Sequence, residues 1–200
     1  MKRGYKMKTL RLVSSIENDK FLNCLLTAFV ADPTIRYMWP ESSQFLNHFK
    51  TFADSYCGNA VINQTAWTKD NFAGVAAWLG PNKEQDEDTL IDIIVNTCPG
   101  ERVDEILGLL DTLSSYHPKE ACWYLPMIGV DPNFQRHGYG MELMSHMLHE
   151  IDRRGLPVYL ESSNPENITL YQKCGFDVMD RLELGGQAIV TPMIRGAKKH

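Results

Sequence analysis

The stretch from Cys122 to Gly155 constrains the fold more than any other part of the chain. CWYLPMIGV, residues 122–130, is a nearly continuous apolar run of strand length, as expected of a strand buried in the middle of a sheet. DPNFQRHGYG follows as a loop. Met141, Met144, Leu148 and Ile151 then recur at spacings of three, four and three, which marks one face of a helix ending near Gly155. A buried strand that passes through a glycine-bearing loop into an amphipathic helix requires a sheet with a helix packed on it.

The flanking sequence extends this to a mixed α/β chain. Thr9–Val13 alternates as a first strand. Phe21, Leu22, Leu25, Leu26 and Phe29 have helical spacing, and Asp32-Pro33 stops that run. Glu41–Ser55 is a second helix, with Phe45, Phe49 and Phe52 as its core stripe. Ala60–Trp67 and Phe72–Leu79 read as strands joined by a polar turn at residues 68–71. Between Glu84 and Asp111 stand nine acidic residues and one basic one, Arg102, with helical patterning at 90–95 and 103–113. This acidic helical connection spans about 81–118. After Val158–Leu160, another apolar strand, a short helix carries Leu170 and Tyr171, and a hairpin over Gly185-Gly186 closes the chain. With no internal repeat, residues 1–200 read as a single domain.

Composition removes several function classes. A formal charge of −5 argues against a nucleic-acid groove, which concentrates Lys and Arg against phosphates. Five scattered cysteines without a C-x-x-C argue against a disulfide framework and a zinc knuckle. The basic N-terminus lacks the apolar stretch of a signal peptide, and the longest apolar run is broken by Pro126. The expectation is a cytoplasmic protein with no membrane or nucleic-acid partner, a monomer or homodimer.

Chemistry concentrates in V-D-P-x-x-Q-R-x-G-x-G, Val130–Gly140. Gly138 and Gly140 let successive N–H groups converge on a ligand, and the helix that follows begins with unpaired N–H groups and a positive dipole end. Such a loop suits a phosphate or diphosphate, and Arg136 adds a charged donor. Neither common nucleotide motif fits: Leu143 stands where a dinucleotide fingerprint needs its third glycine, and no Lys-Ser or Lys-Thr follows Gly140.

The same stretch resembles the acetyl-CoA diphosphate loop of the GNAT-type N-acetyltransferases. N-P-E-N-x-x-L-Y-x-K-x-G-F, Asn164–Phe176, resembles that family's second signature. The resemblance covers roughly 72–195, and within the family HPKEACWYLPMIGVDP and LESSNPENITLYQKCGF are most similar to the puromycin N-acetyltransferase-like members. It implies a central, mostly antiparallel sheet of six to seven strands flanked by helices, with strands 4 and 5 splayed, and acetyl-CoA as cosubstrate. It further implies that Ile128, Gly129 and Val130 bond the pantetheine arm through their backbone. Gln135, Arg136, His137, Gly138, Tyr139 and Gly140 would wrap the diphosphate, Asn167 would face the cofactor, and Tyr171 would stand beside its sulfur. Proline removes a ladder hydrogen bond, so Pro126 is expected at or just before the bulge where the two strands part.

The implied reaction is acetyl transfer to a primary amine of a small molecule by direct attack. Acetylation of protein termini or lysines is the alternative, and a non-catalytic CoA-binding module is the alternative of another class. Transfer needs a neutral amine, although aliphatic amines titrate near about 10.4, so a base or water chain must take a proton. A strand N–H around Ile128 would hold the carbonyl oxygen. Tyr171, with an ordinary pKa of about 10, is the candidate acid for the leaving thiolate. Glu161, at the end of its strand, is the candidate base, against the competing reading of a salt-bridged or solvated carboxylate. His117 has a suitable intrinsic pKa, but its place before Pro118 favours a structural role. His146-x-x-His149 reads as solvated surface, with no metal site expected. Tyr37, Met38 and Trp39 are even candidates for pocket wall or plain packing.

Overall fold

The computed structural model describes residues 10–83 and 85–198, so Thr9 of the expected first strand lies outside the described residues. Strand β1 (Leu10–Leu12) precedes helices α1 (Asn18–Ala28), α2 (Pro33–Met38) and α3 (Ser42–Tyr56). Strands β2 (Ala66–Lys69) and β3 (Gly74–Leu79) lead to α4 (Glu87–Thr97) and α5 (Gly100–Tyr116). Strand β4 (Trp123–Val130), helix α6 (Tyr139–Arg153), strand β5 (Val158–Ser162) and helix α7 (Ile168–Lys173) follow, then β6 (Asp177–Val178), β7 (Leu182–Leu184) and β8 (Ala188–Arg195).

The strands form one eight-stranded sheet in the order β1-β2-β3-β4-β5-β8-β6, with β7 also paired to β8. Every pairing is antiparallel except β4 with β5, which the crossover through α6 makes parallel. Helices α1–α5 cover one face, over Val75, Ala77, Leu79, Tyr124, Met127 and Tyr159. Helices α6 and α7 cover the other, over Ala76, Trp78, Trp123, Leu125, Val158 and Leu160. The Phe45, Phe49 and Phe52 stripe is core as expected, at most 4% exposed.

Three local differences from the sequence reading have physical causes. Asp32-Pro33 ends one helix and starts another: the Asp32 carboxylate accepts from the N–H groups of Thr34 and Ile35, both at 3.0 Å, and Pro33 takes the first helical position. Residues 60–65 turn instead of extending, with Asn59 and Gln64 left-handed at φ 60° and 56°, so β2 runs later and includes Thr68 and Lys69. The first arm of the expected hairpin over Gly185-Gly186 is broken into β6 and β7. Pro192 of β8 lacks an N–H on that side, where its carbonyl accepts from Met179, and the register shifts by one residue between Val178↔Met193 and Leu182↔Val190.

Candidate active site

Pro126 lies where β4 parts from β5. The parallel register runs Trp123↔Val158, Tyr124↔Tyr159, Leu125↔Leu160 and ends there. On the other edge, Leu79 pairs with Tyr124 and Ala77 with Met127, so Leu125 and Pro126 together face Trp78 in a bulge. The bulge resets the alternation: Tyr124 and Met127 share a face although three positions apart. Beyond Leu125, residues 127–130 pair with β3, and none of residues 126–130 has a β5 partner. Ile128, Gly129 and Val130 therefore lie where β4 has no β5 partner. Gly129 has a packing reason of its own, since a Cβ there would stand 2.7 Å from the Cβ of Ala28 in α1.

The loop at the end of β4 is shaped by short polar contacts. Asp131 accepts from the Asn133 N–H at 2.8 Å, and the Gln135 amide donates to the Val130 carbonyl at 3.2 Å. Arg136 and Gly138 take left-handed conformations at φ 62° and 83°, which turns the chain onto the start of α6. His137 Nδ1 lies 2.7 Å from the Gln135 carbonyl, and the side chains of Arg136 and His137 are exposed. The Tyr139 ring is buried under Lys69 and bonded to Asp70, whose carboxylate raises the Tyr139 pKa. Only its backbone is available to a ligand of the loop. Lys69 is itself buried and ion-paired with Glu142, which ties the first turn of α6 to β2.

Tyr171 projects from α7 into the layer beneath β4 and β5. It is 5% exposed and meets the Phe176 ring edge-on at 6.2 Å. Burial, then the charges of Asp32 and Cys174, push its hydroxyl above its ordinary pKa. Asn167 is exposed at the start of the same helix. Between β5 and α7, Ser163 donates to Asp32 at 2.6 Å while its carbonyl accepts from Thr34 at 3.2 Å, joining this loop to the start of α2. Burial raises the Asp32 carboxyl, and the Ser163, Ile35 and Thr34 donors partly offset it.

Glu161 stands on the opposite face of the sheet from α7. Its Oε2 accepts from the Tyr56 hydroxyl at 2.7 Å and the Tyr124 hydroxyl at 2.8 Å, which sets the two hydroxyl oxygens 3.0 Å apart. Burial, with the Glu161 charge, holds both tyrosines well above their ordinary pKa. His117 is exposed, with its ring 5.5 Å from Tyr124 and 4.9 Å from Tyr159. Glu161 and Tyr56 separate two cavities. An apolar one of about 70 Å³ reaches Pro126, Met127 and Ser163 at the strand gap. A wider one of about 690 Å³ lies toward α4, α5 and the start of β4, with His117, Glu87, Asp111 and Glu120 on its wall.

The sequence reading missed Tyr56 and Tyr124. Tyr56 continues the Phe45, Phe49, Phe52 stripe at i+4, and Tyr124 pairs with Tyr159, diagonal to Glu161 on one sheet face, so both had a periodic signal. Of the trio after α1, Met38 lines the apolar cavity, Tyr37 donates to Glu105 at 2.6 Å and Trp39 donates to Thr97 at 3.0 Å. His146 packs edge-on to Trp67 with ring centroids 4.1 Å apart, more engaged than solvated surface. Among the described residues no cluster of three metal-ligating side chains occurs, and no helix is long and apolar enough to cross a membrane.

A parallel strand pair that opens at a proline bulge, next to a glycine turn at a helix start, is the geometry the sequence resemblance implied. The model of the acetyltransferase (GNAT) family matches residues 25–176. The chain belongs to the GNAT family. It is 27% identical over 178 residues to an uncharacterized N-acetyltransferase of Schizosaccharomyces pombe, covering 82% of this chain and 72% of that protein. Arylalkylamine N-acetyltransferase 2 of Aedes aegypti shares the fold at TM-score 0.69 and 14% identity, over 96% of this chain and 100% of that one. The polyamine N-acetyltransferase of Drosophila melanogaster does so at TM-score 0.66 and 16% identity, over 94% and 99%. The GNAT chain described here is an N-acetyltransferase.

Proposed function

We propose that this GNAT enzyme transfers the acetyl group of acetyl-CoA to the primary amine of a small molecule by direct attack in a ternary complex. The observation that carries this reading is the strand gap at Pro126, with a left-handed glycine turn and helix start at one end and a cavity bearing the Glu161 carboxylate beside it. The backbone of Ile128, Gly129 and Val130 would hold the pantetheine arm. The N–H groups from Gln135 to Gly140, with the exposed side chains of Gln135, Arg136 and His137, would hold the diphosphate, with Asn167 beside the cofactor. A strand N–H near Ile128 would bind the carbonyl oxygen as charge develops on it.

In the reaction the amine nitrogen bonds to the thioester carbon, the carbon–sulfur bond breaks, and the nitrogen loses a proton. Glu161 is the acceptor of that proton, and its two tyrosine contacts fix it at the cavity wall. Tyr171 serves the departing thiolate. Burial makes its proton harder to lose than that of a tyrosine at about 10, and a thiol ordinarily titrates near about 8.5. Its part is therefore to donate a hydrogen bond to the sulfur while keeping its proton.

The motif resemblance to puromycin N-acetyltransferase-like members makes puromycin one acceptor to try. The same reading places the chain in the cytoplasm as a single domain over 1–200, a monomer or homodimer. The test is thiol release from acetyl-CoA with small amines, puromycin, and an N-terminal and a lysine peptide. Turnover with small amines and Tyr171→Phe at least tenfold down in kcat, with acetyl-CoA affinity nearly unchanged, is expected. Turnover with peptides alone supports the protein-directed alternative, and CoA binding without turnover on any acceptor supports the non-catalytic one.

A further inference from the structure

The wall of the apolar cavity specifies the acceptor more closely. Resting on the acetyl-transfer reading above, we propose that the acceptor is a primary monoamine with an apolar alkyl or arylalkyl body, and that amines carrying a second cation are rejected. The cavity beside Pro126 and Met127 is lined by carbon from Ile35, Phe52, Ile106, Leu109 and Val190, and among the described residues Glu161 is the only charged side chain on its wall. The hydroxyls that reach it are uncharged, and each already donates its proton: Thr34 to the Ser163 carbonyl, Ser163 to Asp32, and Tyr56 to Glu161. One ammonium can pair with Glu161, whereas a second would sit in a largely hydrocarbon wall with its hydration removed and no counter-charge.

The acidic segment read from the sequence does not supply that partner. Glu87, Asp111 and Glu120 line the wider cavity, on the far side of the Tyr56–Glu161–Tyr124 contacts. Glu105 is turned away, accepting from Tyr37 and from the Gly185 N–H. An apolar body, in contrast, gains from leaving water among these side chains.

Two measurements test the inference. In the thiol-release assay, kcat/KM for phenethylamine and butylamine should exceed that for agmatine and putrescine by at least a hundredfold. In thermal melts without acetyl-CoA, phenethylamine should raise the Tm and agmatine should not. Leu109→Glu, at a half-buried wall position, should shift the phenethylamine-to-agmatine ratio of kcat/KM toward agmatine by at least tenfold. Equal or better turnover of agmatine by the wild type, or an unchanged ratio in Leu109→Glu, would overturn the inference and leave acetyl transfer standing. No thiol release with any amine or peptide would overturn both.

Discussion

Replacing Gly129 by alanine tests the packing that sets α1 against β4. The added methyl would lie 2.7 Å from the Ala28 Cβ and 3.2 Å from Leu25 Cδ2. Carbon atoms in ordinary contact stand about 3.5–4.0 Å apart, so α1 must retreat by about 1 Å. That helix carries the buried side chains of Phe21, Leu22, Cys24 and Leu25, and they would move with it. Overpacking of this kind costs about 1–3 kcal/mol. For a chain of this size each kcal/mol is worth about 2–4 °C, so the Tm should fall by roughly 2–12 °C. Thermal melts followed by circular dichroism, without acetyl-CoA, provide the measurement. Ala28→Gly removes the nearer of the two contacts and on its own costs about 1 kcal/mol of helix propensity. Combined with Gly129→Ala it should give a protein more stable than the sum of the single changes predicts. A Gly129→Ala protein that melts with the wild type, or strict additivity in the double variant, would refute the reasoning.

Other positions separate the roles proposed above. Gly138→Ala meets no atom within 4 Å but keeps a left-handed φ of 83°, so it should lose about 1–2 kcal/mol through backbone strain and weaken acetyl-CoA binding at least fivefold by titration calorimetry. Glu161→Gln retains an oxygen for Tyr56 and Tyr124 but cannot take a proton, so kcat should fall at least tenfold with little change in Tm. Asp152 accepts two hydrogen bonds from Arg195, at 2.6 and 2.8 Å, and these hold its carboxyl below the usual range. The native state then binds that proton less readily than the unfolded chain. The stabilisation is complete above the unfolded value of about 3.9 and is lost as pH falls through the native one. Asp152→Asn should therefore destabilise at pH 7 by about 1.5–3 kcal/mol, and the gap to wild type in urea titrations should close below about pH 4.

What the sequence discloses follows how local each signal is. The apolar run with Pro126, the Gln135–Gly140 turn and the helix after it are contiguous, and each lies where its own chemistry puts it. Pro126 was informative because a missing N–H has a consequence wherever the strand goes. Pro192 carried the same signal and breaks the pairing of β6 and β7 for the same reason. Residues 60–65 misled because Ala60, Val61 and Ile62 look like a strand, while left-handed turns at Asn59 and Gln64 decide the path. The carboxylate contacts were the least legible. Tyr56, Tyr124 and Glu161 come from α3, β4 and β5, and only the packing of α3 over the sheet brings their oxygens within 3.0 Å. Asp32 was read as a helix stop, and its link to Ser163 spans 131 positions.

The most direct measurement is a crystal structure with CoA bound. The account predicts the pantetheine arm along residues 128–130 in the gap between β4 and β5, the diphosphate on the N–H groups of 135–140, and the sulfur within hydrogen-bonding reach of the Tyr171 hydroxyl. CoA bound elsewhere on the protein, or a sulfur remote from both Tyr171 and the Glu161 cavity, would contradict it.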